Sequence, residues 1–215
     1  MPNIKTYSLK KDGSVKLSAN LTVKEFRCND GSDRIKIDSA LPPILQQIRD
    51  HFNAPVHINS AYRTPAYNAK VGGVSNSYHV KGMAADIVVS GVSSKRVAQY
   101  AETLNCGGIG WYEGKKFVHI DTRSKRVCGK DSGSNVRKTF SDCPYAEPSG
   151  TLQYGAGGAA WLQWHLKKLG AKVSIDGKFG ANTKAAVIAF QKKHGLTTDG
   201  VVGEKTRLAL KREVI

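Results

Sequence analysis

Apolar residues recur along this chain at two spacings, and each spacing marks a kind of element. From Leu41 to Phe52, the residues Leu41, Ile44, Leu45, Ile48 and Phe52 return at three- and four-residue steps, the stripe of a helix that buries one face. Pro42 and Pro43 suit its first turn. A second amphipathic helix starts at Ser93 or Ser94 and sets Val97, Tyr100, Ala101 and Leu104 on one side. Between them, Val56, Ile58 and Ser60 alternate with His57 and Asn59, which predicts a strand, and AADIVV (84–89) reads as a buried strand. GGIGWYEG and KFVHIDTR predict two strands joined by a turn at Glu113 to Lys115. On the second, Phe117, His119 and Asp121 share a face, while Val118 and Ile120 point to the core. Thr64 and Pro65 open a short helix that the glycines of KVGG end, and Thr22 caps another that buries Val23 and Phe26. Residues 1–20 read as a polar arm with at most one short strand.

After Arg126 the periodicity fades into a stretch rich in Gly, Ser, Lys and Asp, whose few aromatic residues suggest that part of it packs down. Order returns near Ala159. WLQWHLKKLG predicts a helix with Leu162, Leu166 and Leu169 on one stripe, and AAVIAFQKKHGL another with Val187 and Phe190 inward. The pattern D-G-x-x-G-x-x-T-x-x-A occurs twice, from Asp176 and from Asp199, 23 residues apart; each Asp-Gly makes a turn and a helix follows. His165 and His194 read as isolated surface residues. The expected organisation is a domain over 1–130, a linker over 131–156 and a second domain over 157–215. The expected fold class is α+β, with a small antiparallel sheet and flanking helices, plus a small all-α three-helix domain.

Composition narrows the function. No apolar run approaches eighteen residues, so no membrane insertion is expected. Lys and Arg outnumber Asp and Glu by 33 to 17, an excess that draws polyanions. The basic residues come as dispersed pairs, with no finger, homeodomain or aromatic-basic sheet motif, so nucleic acid is not the expected partner and an anionic wall polymer fits the charge equally well. The four cysteines lack C-x-x-C spacing and read as free thiols, with a Cys128–Cys143 disulfide as the alternative. The first twenty residues hold no apolar signal core and no cleavage-like site, so the expectation is synthesis in the cytoplasm and release by some route other than the usual secretory one. Nothing in the pattern demands association, and a monomer is expected.

The chemistry gathers in two stretches. GVSNSYHVKGMAADIVV and KFVHIDTR offer His79, Asp86 and His119, two imidazoles and a carboxylate, the ligand set a hydrolytic zinc ion takes when one position stays open for water. An aspartate inside an apolar strand is costly unless a cation or hydrogen bonds compensate it; a structural hydrogen-bonder is the alternative to ligation for Asp86. Arg63, where strand gives way to helix, reads as a clamp for a substrate carboxylate or as a surface ion-pair partner. Asp121 shares the face of His119 and is the first candidate for the general base, with orientation of an imidazole as its other role; Glu113 in the turn is second, and a solvated turn residue otherwise. His57 reads as a polar strand residue rather than a proton shuttle.

Three motifs together resemble a known family. SAYRTPAYN, S-x-H-x-x-G-x-A-x-D from Ser77 to Asp86, and GGIGWYEGKKFVHID are similar to the zinc D-alanyl-D-alanine carboxypeptidases. That family's relatives include phage L-alanyl-D-glutamate endopeptidases and the zinc-binding fold of Hedgehog domains. The likeness covers about residues 18–126. It implies one Zn2+ on His79, Asp86 and His119 and peptidoglycan as substrate. Arg63 would recognise the peptide stem, with Ser60, Tyr62 and Ser77 of the same motifs on the substrate side. Many relatives carry a carboxylate three residues before the last histidine, where this chain has Lys116. Ala159–Leu210 is similar to the three-helix peptidoglycan-binding domain. The expectation is a modular wall-lytic peptidase, an endolysin or autolysin reaching the wall at phage or prophage lysis. A strict D,D-carboxypeptidase and a non-catalytic zinc-containing wall binder are the alternatives.

Overall fold

The structure is a computed structural model that describes residues 2–131, 136–137 and 139–215. The chain divides into two compact units, Met1–Phe140 and Ser141–Ile215. Of the stretch 131–156, Phe140 is buried in the first unit, edge-on to Trp111, and Leu152 is buried in the second; residues 132–135 and 138 lie outside the described residues.

The first unit opens with β1 (Ile4–Ser8), α1 (Leu9–Asp12) and a 3₁₀ helix (Val23–Phe26), followed by β2 (Arg34–Asp38), α2 (Leu41–Phe52), β3 (Val56–Ser60) and α3 (Pro65–Lys70). It continues with β4 (Ala84–Val89), α4 (Ser94–Ala101), β5 (Gly108–Tyr112), β6 (Phe117–Asp121), β7 (Val127–Lys130) and β8 (Val136–Arg137). The expected caps form: Thr64 Oγ1 accepts from Tyr67 N, Ser93 Oγ from Arg96 N, and the Glu25 carboxylate from Thr22 N. Asn53 ends α2 in the left-handed conformation.

β1 and β2 pair as an antiparallel ribbon, and the main sheet runs β3-β4-β6-β5-β7-β8. The helices α2 and α4 cover the sheet, and Ile48, Leu45, Ile87, Ile109 and Ile120 are fully buried in its core. The polar arm thus holds the one short strand its pattern allowed, and its partner β2 is a strand that the local pattern did not predict. The sheet is also not wholly antiparallel, because β7 runs parallel to β5. After Asp121 the chain turns back past the start of β5 and pairs on its outer edge. Gly107 permits this crossing, since a Cβ there would stand 1.8 Å from the Arg123 carbonyl oxygen.

The second unit is α5 (Ala160–Lys168), α6 (Ala181–Lys193) and α7 (Glu204–Val214) around Trp161, Leu162, Leu166, Phe179, Val187, Phe190, Val202 and Leu210. His165 is not on the surface: it is buried, with Nδ1 2.8 Å from the Trp161 carbonyl oxygen and its ring against the Trp161 indole. Leu169 is the exposed end of its stripe.

Each D-G-x-x-G-x-x-T turn is built on one buried glutamine from the preceding helix. Gln163 Nε2 donates to Asp176 Oδ1 (2.7 Å), the Lys178 carbonyl (2.9 Å) and Thr183 Oγ1 (3.2 Å), while its Oε1 accepts from Asp176 N and Gly177 N. Gln191 repeats this with Asp199 Oδ1, the Val201 carbonyl, Thr206 Oγ1 and Gly200 N. The repeat is therefore the visible half of a polar junction whose centre lies outside the motif. Truncating Gln163 to Ala strands several buried groups at once, and we expect it to lower the stability of this unit by about 2–3 kcal/mol. Urea unfolding of the Gln163→Ala chain, followed by the helical signal, measures the loss.

Candidate metal centre

Three elements converge on one point. β4 carries Asp86 and β6 carries His119, directly paired in register. A register shift at the end of β3 sets Ser60 opposite Asp86. His79 arrives from the turn-rich segment between α3 and β4. Asn68 steadies this segment by donating from Nδ2 to the Val74 carbonyl, and Gly82, at φ +75°, re-enters β4. A Cβ at Gly82 would collide with the Lys36 backbone.

His79, Asp86 and His119 form a group able to hold one metal ion. His79 Nε2 lies 3.2 Å from His119 Nδ1 and 3.3 Å from Asp86 Oδ1, and His119 Nδ1 lies 2.9 Å from the same oxygen. Ligands at about 2.0–2.1 Å from a tetrahedral zinc ion stand roughly 3.3 Å apart, so the spacing fits. The outward hydrogen bonds fix the ring tautomers. His79 Nδ1 is 2.7 Å from the Ala61 carbonyl and His119 Nε2 is 3.1 Å from Asp121 Oδ2, both acceptors, so each ring turns its other nitrogen inward.

Around this point the charges alternate. Arg63 donates from Nη2 to Asp86 Oδ2 (2.7 Å) and from Nε to Ser60 Oγ (2.8 Å). Asp121, fully buried, accepts from Gly108 N (2.9 Å), from Arg123 N (3.0 Å) and from the Arg123 guanidinium at Nε and Nη2. Burial would push the Asp86 carboxyl up, but the bonds with His119 and His79 outweigh it and hold it well below the usual carboxylate range. Asp121 is held low in the same way against its burial, by His119 and Arg123. Burial alone would depress His119, yet Asp121 and Asp86 together lift it to about 9.

The sequence-selected residues thus separate into groups. His79, Asp86 and His119 meet, with Arg63 and Ser60 behind the carboxylate. Ser77 accepts from His79 N (3.3 Å) and lines an open cleft of about 510 Å³ with Tyr78, Tyr112, His119 and Arg123. Tyr62 is buried, and the charged groups acting on its hydroxyl are Arg34, Cys28 and Asp30 rather than the centre. Asp121 sits across the His119 ring from the converging atoms, with its oxygens already bonded. Glu113 lies in the exposed turn, paired with Lys130 at 2.6 Å. His57 is exposed, 2.9 Å from Ser90 Oγ. All four cysteines are free thiols; burial pushes Cys106 up to about 12. Arg123 and Tyr112 escaped the sequence reading. The DTR run, which places a cation two residues beyond the aspartate, was the available signal for the first.

Comparison with known proteins agrees with this geometry. Residues 17–121 match the family described as Peptidase M15, and residues 157–210 match a peptidoglycan binding domain. The chain carries a Peptidase M15 domain followed by a peptidoglycan-binding domain. Among curated relatives, "Probable peptidoglycan L,D-endopeptidase MepK" of Haemophilus influenzae is 39% identical over 80 residues, 35% of this chain and 43% of that protein. The Escherichia coli K12 peptidoglycan L,D-endopeptidase MepK is 35% identical over 77 residues, covering 34% and 42%. The zinc D-Ala-D-Ala carboxypeptidase of Streptomyces albus G is 44% identical over 63 residues, covering 27% and 25%. The chain spans less than half the length of each of these relatives. A solved structure, the SleB N-terminal domain, aligns over its full length with 33% of this chain at 36% identity and a TM-score of 0.32.

Asp121→Asn removes the charge that orients His119, and zinc affinity is expected to fall roughly 10- to 100-fold in chelator competition. Metal-stripped protein should also depend on pH. The folded-state pKa of His119 is raised, from 6.5 to about 9, so its stabilisation is complete below the lower value and lost as pH rises through the upper. The melting temperature of the stripped chain is therefore expected to decline between these two values. In the zinc-loaded chain, where metal replaces the proton, it should stay flat across them.

Proposed function

We propose that this chain is a zinc-dependent peptidoglycan peptidase that hydrolyses an amide bond in the stem or cross-link peptides of the bacterial wall. The observation that carries the reading is the convergence of two imidazole nitrogens and a carboxylate oxygen at tetrahedral spacing beside an open cleft. The Peptidase M15 match and the names of the relatives support it, and the wall-binding match supports peptidoglycan as the partner.

His79, Asp86 and His119 would hold the ion, leaving a fourth position toward the cleft. Zinc, when bound there, would polarise the scissile carbonyl and lower the pKa of a water molecule. The chain's own residues do the rest. Arg63 spends one edge of its guanidinium on Asp86 and, at the rim of the centre, can meet a stem carboxylate with another. Asp121, held by Arg123 and Gly108, keeps His119 in the ligating tautomer; this bonding suits orientation better than service as a base. Glu113, bound to Lys130 in the exposed turn, fits neither role. The second domain would tether the enzyme and raise the local concentration of wall bonds.

The pairing of a peptidase with a wall anchor and a net charge of +16 supports a bacteriolytic, endolysin-like role. One observation favours a second reading, that of a zinc-containing wall binder without catalysis: among the described residues, no carboxylate without a partner lines the cleft, and Lys116 stands three before His119.

Purified wall incubated with the chain should release soluble muropeptides, cease to do so with chelator, and resume when zinc is returned. His119→Ala should lose at least about 1,000-fold in rate, since removing a ligand removes the ion. Mass analysis of the products identifies the bond. Wall binding without release, in the presence of zinc, would establish the binder instead.

A further inference from the structure

We infer that Tyr112 is a catalytic residue of this centre, its phenol donating a hydrogen bond to the carbonyl oxygen of the scissile amide as water adds to it. The inference rests on the peptidase reading and supplies a partner that reading lacks: a donor of the protein's own for the oxygen on which charge develops.

Placement comes first. Tyr112 is the last residue of β5, on the strand face shared by Gly108 and Gly110, and it lines the cleft with His119. Gly110 is paired with His119 and Tyr112 with Phe117, whose rings stack at 4.4 Å. A Cβ on Gly110 would lie 2.9 Å from Tyr112 Cε2 and 3.1 Å from His119 Cβ. The tyrosine ring therefore leans back along its own strand, over the glycine and toward the histidine, in space that any larger residue at 110 would fill. Asp86, Arg63 and Asp131 all act electrostatically on its hydroxyl, which therefore lies within the field of the centre's carboxylate and arginine.

Availability comes second. The charged and imidazole groups of the centre are already engaged: Asp121 by Gly108, Arg123 and His119, His79 by Ala61, and one edge of Arg63 by Asp86 and Ser60. The Tyr112 hydroxyl has no hydrogen-bond partner among the described residues, although its ring is seated. A phenol is protonated at neutral pH and is a donor there.

The step balances without altering the tyrosine. The water oxygen bonds to the carbonyl carbon, the C–N bond breaks, and the protons given up by water finish on the leaving amine and in solvent. Between these events the former carbonyl oxygen carries negative charge. The phenol keeps its proton throughout, and its hydrogen bond strengthens as that charge appears.

Tyr112→Phe preserves the ring, its stack on Phe117 and its cover over Gly110 while deleting the donor. On wall peptides of defined structure, kcat is expected to fall about 100-fold with KM changed by less than about threefold. Zinc affinity and melting temperature should match the unsubstituted chain. A kcat within about threefold of the unsubstituted chain overturns the proposal, as does a loss found wholly in KM or in zinc affinity. If the unsubstituted chain itself releases no chelator-sensitive product, the peptidase reading has failed, and that result is distinct from a Tyr112→Phe chain that keeps full activity.

Discussion

Two imidazole lone pairs and a carboxylate oxygen cannot rest 2.9 to 3.3 Å apart without positive charge among them. In the metal-free chain a proton on His119 supplies it, which is why that ring holds its proton so strongly; a divalent cation supplies it better. Much of the first unit can be understood as the means of forcing this contact. Adjacent strands bring Asp86 and His119 into register, the seated loop brings His79, and each ring is turned inward by a bond on its far side.

The same alternation of charge extends outward on both sides. Arg63 balances Asp86 and Arg123 balances Asp121, so each carboxylate is gripped between an arginine and a histidine. Removing one member of such a buried pair costs about 3–5 kcal/mol, because the remaining charge is left without water or partner. Arg123 in turn rests on the Tyr78 ring, 4.2 Å from its centre, which fixes the guanidinium without spending a carboxylate. The electrostatic order of the centre thus depends on a backbone crossing that only the paired glycines 107 and 108 allow: a Cβ on Gly108 would stand 2.0 Å from Asp121 Oδ2.

What could be read from the sequence was whatever repeats locally. The stripe of α2, the alternation of β3 and β6 and the capped start of α4 needed no distant partner, and the three converging residues stood out because a buried aspartate near two histidines is chemically expensive. Other features depend on partners far along the chain. β2 alternates Ile35 and Ile37 over only five residues, and its pairing with β1 spans some thirty positions. β7 is a strand because of the edge it joins. Asp121 showed its face but not its neighbours, and the grip of Arg123 on it appears only once the chain has crossed β5. Gln163 and Gln191 carry no periodic mark, so the repeated turns were visible while their common centre was not. His165 misled because its polar ring implied exposure, and a buried backbone carbonyl accommodated it instead.

His79 points inward through Nε2, the far nitrogen of its ring, whereas His119 does so through Nδ1, the nitrogen nearest its own backbone. The two imidazoles are therefore arms of different length. Strand β6 must pass close beside the converging atoms, while the loop bearing His79 stands further off. An ion held here would take its location chiefly from the pleat of the sheet, with the longer arm closing onto it, so that thermal movement of the loop could loosen one bond without displacing the charge from the strand that anchors it.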